Sequence, residues 1–162
     1  MRKIADKLLP AGHPPTYVSG ELTSQPVPQL PPPRHGCSFH VFCGQESASA
    51  LIDEVVVALR LPIVKATTLE QLCQCECFLL HLSSHTWNDA STADALMRLV
   101  LQAMDAKMPI LLAHEMPGVG GQDERGGCDF NGIISATPRE LLSKNIYDDI
   151  AEPLKGGAWR EA

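Results

Sequence analysis

No part of this sequence stays apolar for more than a few residues at a time, so nothing in it reads as a membrane-spanning helix. Met1 to Leu9 offers basic residues and a scattered apolar set, closed by Pro10, which is neither a signal peptide nor an anchor. Positive charge is also short. The 13 Lys and Arg face 19 Asp and Glu for a formal net charge of -6, which argues against a broad basic surface for nucleic acid or anionic membrane. Six cysteines are too few for a disulfide scaffold, and Cys73, Cys75 and Cys77 crowd beside an apolar run, so reduced thiols in a cytoplasmic, soluble protein are the expectation.

The specialised phosphate and metal motifs are missing too. Gly44 stands alone where a dinucleotide fold needs G-x-G-x-x-G, and no Walker A sequence occurs. The glycine-rich Gly118-Val119-Gly120-Gly121 runs into Gln122-Asp123-Glu124, whose acids would repel phosphate. A phosphoacceptor receiver is excluded because the apolar run expected to form the third strand ends Leu82-Ser83, without an Asp. There is no C-x-x-C. Cys73, Cys75 and Cys77 alternate in an extended segment, too far apart to close one tetrahedron, so they read as small buried residues and no metal is expected even with His81, His85 or Cys128 nearby.

What the chain does have falls into a tail and a domain. Eight of the 13 prolines lie between Pro10 and Pro33, a composition that reads as a disordered tail or linker over residues 1–35. The run Pro26 to Arg34 favours polyproline II; Pro28 and Pro31 satisfy PxxP, but a semi-rigid spacer is the plainer reading. From Gly36 short apolar runs alternate with helical periodicity, the pattern of a flavodoxin-like α/β three-layer sandwich with a mainly parallel sheet of four to five strands over residues 36–157. Residues 158–162 form a short extension, and the abrupt ending suggests a fragment of a larger protein.

Strands are expected at Cys37 to Cys43, Pro62 to Lys65, Cys77 to Leu82 and Ile110 to His114, with a weaker fifth at Phe130 to Ile134. Helices are expected at about Ser47 to Arg60, with Leu51, Ile52, Val55, Val56 and Leu59 on one face, and at about Ser91 to Lys107. Thr67 and Glu70 suggest a capping box for a brief helix through Leu72. Thr137, Pro138 and Glu140 open a last helix whose Leu141, Leu142, Ile146, Ile150 and Leu154 would face the core until Pro153, Gly156 and Gly157 stop it.

In such a sheet, ligands bind beyond the C-terminal strand ends where strand order reverses. That rule selects Cys43, Gly44, Gln45 and Glu46 after the first strand, Ser83 to Trp87 after the third, and Glu115 to Gly118 after the fourth. From these, Cys43, Gly44, Ser83, Ser84, Trp87 and Glu115 are the expected ligand-binding residues. Cys43 with His85 or His114 would be a thiol and base, but a buried Cys finishing a strand is the better reading. His40 reads as a satisfied structural histidine. Trp87 caps the core or lines the cleft, while Asp89, Ser91 and Thr92 cap a helix.

Four segments, in order, resemble the Toll/interleukin-1 receptor (TIR) domain family over residues 37 to 159. Phe39-His40-Val41-Phe42-Cys43 is similar to its opening strand, and Cys77 to Trp87 to its third strand with the following Ser and Trp. Met108-Pro109-Ile110-Leu111-Leu112 is similar to its fourth, and Ala158-Trp159 to its C-terminal Phe-Trp element. The resemblance implies an interaction or signalling module with protein partners, other TIR-like domains among them, and weak self-association. Relatives that hydrolyse NAD carry a glutamate shortly after this Trp. Here Asn88, Asp89, Ala90 and Ser91 follow, the helix to Lys107 has no Glu, and only Asp89 and Asp94 stand near. The expectation is therefore a non-catalytic module without cofactor; the alternative is an NAD-cleaving or nucleotide-binding enzyme that uses the same cleft. The Lys65-Ala66-Thr67-Thr68 loop is too short for the family's docking segment, so partner surfaces do not transfer.

Overall fold

The computed structural model describes residues 30–118 and 122–155. The prolines before residue 30, the middle of the glycine-rich loop at 119–121, and Gly156, Gly157, Ala158 and Trp159 lie outside the described residues.

Strand β1, Phe39–Cys43, is buried along almost its whole length, as a parallel strand covered on both faces must be. Chain direction then reverses through α1, Glu46–Leu59, whose Ala48, Leu51, Ile52, Val55 and Leu59 pack on the sheet. The helix ends at Arg60, which adopts the left-handed φ of 52°. Strand β2 is only Lys65–Ala66. The short helix after it is a 3-10 turn over Leu69–Gln74, and its box is centred one residue later than Thr67 and Glu70 suggested: the Thr68 N–H donates to Gln71 Oε1 at 3.4 Å. Extended Thr68 precedes the turn, so Thr67 stands too early to cap it.

Strand β3, Cys75–Leu82, begins two residues before the expected start. Helix α2, Ala90–Asp105, and strand β4, Ile110–Glu115, follow as the periodicity predicted. Asp89 caps α2 by accepting from the Ser91 N–H at 3.0 Å.

The last third departs from expectation. Phe130 to Ile134 is not a strand but the start of α3, Phe130–Ala136. Helical winding buries Ile133 and sets Phe130 edge-on against Tyr147, and the Thr137 hydroxyl donates to the Ile133 carbonyl at 2.7 Å, so Thr137 closes this helix rather than opening the next. The long final helix is only α4, Arg139–Ser143. Asn145 at φ 58° ends the winding, and Ile150, expected in the core, is 86% exposed. Leu154 does reach the core, but on strand β5, Glu152–Leu154, where Pro153 is tolerated because an edge strand has an N–H to spare.

All five strands are parallel in the order β2-β1-β3-β4-β5, a flavodoxin-like α/β sheet. One face packs Val41, Cys43, Leu79, Leu111 and Ala113 under α1; Phe42, Phe78, Leu80, Leu82 and Leu112 meet α2, α3 and α4 on the other. Leu30 is buried on the α1 face, and the Pro31 carbonyl accepts from His40 Nε2, so the end of the proline-rich stretch is packed on the domain. No helix among the described residues is long and apolar enough to cross a membrane.

Candidate functional site

The order reverses between β1 and β3, and a cleft of about 640 Å³ opens where their C-terminal ends diverge. Its walls come from the β1–α1 turn (Gly44, Gln45, Glu46), the β3–α2 loop (Ser83, His85, Thr86, Asp89), Glu115 at the end of β4, and Glu124 and Arg125. The sequence rule therefore located the cleft, because the switch point follows from strand order alone.

Beneath it lies a buried contact between a histidine and a glutamate. His81 on β3 is 4% exposed and Glu115 1%, with Nε2 to Oε1 at 3.2 Å. Strand alternation puts both on the α1 face, since the register pairs His81 with Ala113, two residues before Glu115. The backbone of His81 is held with unusual completeness. Gln45 Nε2 donates to its carbonyl and the His81 N–H donates to Gln45 Oε1, each at 3.0 Å, so one side-chain amide extends the β1–β3 ladder where the β1 backbone has turned away into α1. The Thr86 hydroxyl donates to the same carbonyl at 3.0 Å and accepts from the Ser83 N–H at 2.8 Å, which fixes the β3–α2 loop on the strand end. Against this, His81 Nδ1 is buried without a hydrogen-bond partner.

The rim is tied across the cleft. Arg125 Nη1 meets Glu54 Oε1 of α1 at 2.6 Å, and the Ser84 N–H donates to the Gly126 carbonyl at 2.8 Å. Gly126 has a φ of 74°, and an added Cβ would lie 2.7 Å from His85 Cδ2, so only glycine lets this loop seat on the β3–α2 loop.

Of the expected ligand-binding residues, Gly44, Ser83 and Glu115 line the cleft. Cys43 sits just below in the α1-side core, where burial pushes its thiol up to about 12. Ser84 is occupied with the loop, its carbonyl accepting from Asn88 Nδ2. Trp87 packs in the opposite core and donates through Nε1 to the Tyr147 hydroxyl at 3.2 Å, so it caps the core. His114 points to the other face, its Nε2 donating to the Cys128 carbonyl at 2.7 Å and its ring edge-on to Phe130, which separates it from Cys43. His40 is satisfied at both nitrogens, as its reading required.

Glu54 and Arg125 gave no sequence signal, being 71 residues apart. The role of His81 was hidden too: a lone histidine in an apolar run carries no mark of the acid that crosses to it from the next strand. Among the described residues no group of His, Cys, Asp or Glu has a metal-holding arrangement. Comparison with protein-family models, curated proteins and solved structures returns no match for this chain.

Proposed function

We propose that this chain is a soluble, cytoplasmic TIR-like signalling or interaction module that works through protein partners, with a cleft that receives a ligand without turning it over. The observation that carries the reading is that neither the acid nearest the relatives' glutamate nor the strand-end thiol is set up for chemistry. Asp89, the acid nearest the position where NAD-cleaving relatives place a glutamate, accepts from both the N–H and the hydroxyl of Ser91, and these hydrogen bonds pull its pKa below the usual carboxylate value. Asp94 does not line the cleft. Burial pushes the Cys43 thiol up to about 12, away from the thiolate that a nucleophile needs.

A second reading has one specific support: Glu115 is a carboxylate lining the cleft with an imidazole against it, a pairing that could serve general acid–base chemistry. The two are separated by nicotinamide release from NAD at high protein concentration. The expected result is no release. Release that disappears in Glu115→Gln would replace the interaction module with an NAD-cleaving enzyme.

A further inference from the structure

We infer that Cys37 and Cys73 form a thiol–disulfide site, a pair that hydrogen peroxide joins and a dithiol reductant reopens, at the end of the sheet opposite the cleft. Strand register sets the pair. Partners on β1 and β3 keep one constant offset, from Phe39 with Cys75 to Cys43 with Leu79. The Ser38 N–H donates to the Gln74 carbonyl at 2.8 Å, which carries the pairing one residue back beyond the start of both strands. Cys37 and Cys73 are the next positions back at the same offset. They stand opposite each other where neighbouring parallel backbones run about 4.8 Å apart, inside the limit of roughly 7 Å on the Cα separation of a disulfide. The chain is anchored at this point on its other side as well: the Cys37 N–H donates to the Arg34 carbonyl at 2.8 Å, and Arg34 Nε lies 3.6 Å from Glu76 Oε2.

The six cysteines are free thiols, and their surroundings divide the labour among them. Cys73 is exposed on the 3-10 turn and Cys37 is half-buried, so a small oxidant reaches both. Cys75 is 5% exposed and its thiol donates to the Gln71 carbonyl at 3.3 Å. Burial pushes that thiol up to about 11, and Cys37 and Cys73 add to the rise, so both sulfurs lie near a third that is itself unsuited to attack. In the first step the Cys73 thiolate attacks the O–O bond of the peroxide, giving a sulfenic acid and hydroxide, which takes up a proton as water. The Cys37 thiolate then attacks the sulfenic sulfur, forming the S–S bond and releasing a second water. The two thiols give up two electrons and the peroxide takes them. Transient bonds of this kind are the ones a reducing compartment permits. This one would fasten the end of the proline-rich stretch, already packed through Leu30 and the Pro31 carbonyl, to the turn that precedes β3.

The test is treatment of the full chain with hydrogen peroxide, alkylation of the remaining thiols and mass spectrometry of the non-reduced tryptic digest, beside a sample returned to dithiothreitol. The expected product is a link within one chain between the peptide carrying Cys37 and the peptide carrying Cys73, absent after dithiothreitol. Cys73, Cys75 and Cys77 share one tryptic peptide, so variants assign the partner. Cys37→Ser and Cys73→Ser should lose the link, while Cys75→Ala and Cys77→Ala keep it. Closing the chain between residues 37 and 73 restrains the unfolded state, so oxidised wild type should melt above reduced wild type, and Cys73→Ser should melt alike in both conditions. Circular dichroism of each variant separates a lost thiol from a lost fold. A link that survives Cys73→Ser, a bond between two chains, an absence of any link, or a linked product that melts no higher than the reduced chain overturns the inference.

Discussion

His40 and His81 stand on neighbouring parallel strands, each 4% exposed, and are held in opposite ways. His40 Nδ1 accepts from the Val64 N–H and Nε2 donates to the Pro31 carbonyl, both at 2.9 Å, so one ring ties β1 to the approach to β2 and to the end of the proline-rich stretch. Nothing is left for a ligand. His81 is pinned by its backbone and by Glu115, yet one ring nitrogen remains without a partner beside the cleft. An unmet buried polar atom costs about 1–3 kcal/mol, so the first histidine is explained by folding and the second is not. The contrast separates a polar group met in full by the scaffold from one the scaffold leaves partly unmet.

The sharpest way to break the comparison is to take the His81–Glu115 contact apart. His81→Leu alone removes the imidazole from a buried carboxylate and should lower unfolding free energy by about 3–5 kcal/mol in urea titration. Replacing His81 and Glu115 together by leucine should restore most of that loss or exceed wild type, because the desolvation of both groups disappears with their attraction. His40→Leu strands the Val64 N–H and the Pro31 carbonyl and should cost about 2–4 kcal/mol, with no leucine partner able to recover it. If the double replacement is as damaging as His40→Leu, the two histidines do the same work and the cleft loses its special one.

The same contrast explains what could be read from the sequence. The first, third and fourth strands, both long helices and the cleft followed from apolar runs and chain direction, while the second strand shares only Lys65 with the Pro62 to Lys65 segment expected for it. The last third failed on local ambiguity. Phe130-Asn131-Gly132-Ile133-Ile134 has strand-like residue types in a segment that winds as α3, and Leu141 to Leu154 keeps helical spacing across what is a turn and then an edge strand. Tertiary pairing with β4 decides the second case, because a three-residue strand carrying Pro153 has no signal of its own. The cleft was legible in position, and the side-chain contacts inside it were not. Gly44 and Ser83 are adjacent to their strands, whereas the pairing of His81 with Glu115 spans 34 residues and needs the β3–β4 register to be seen.

His114 and Glu115 are consecutive on β4 but face opposite cores, and that difference sets the smallest predicted effect. Burial lowers the pKa of His114 from 6.5, and the Cys128 carbonyl and the Glu115 charge only partly oppose it. The unfolded chain therefore takes up this proton first as pH falls. Stability from this site is complete above pH 6.5 and is lost as the pH drops from there toward the lower folded value. Melting temperatures measured from pH 8 to pH 5 should fall at the acid end, and His114→Gln, which keeps a donor for the Cys128 carbonyl while removing the titration, should flatten that fall relative to wild type. An unchanged slope would show that the acid sensitivity does not come from burial of His114 against Phe130 and the Cys128 carbonyl.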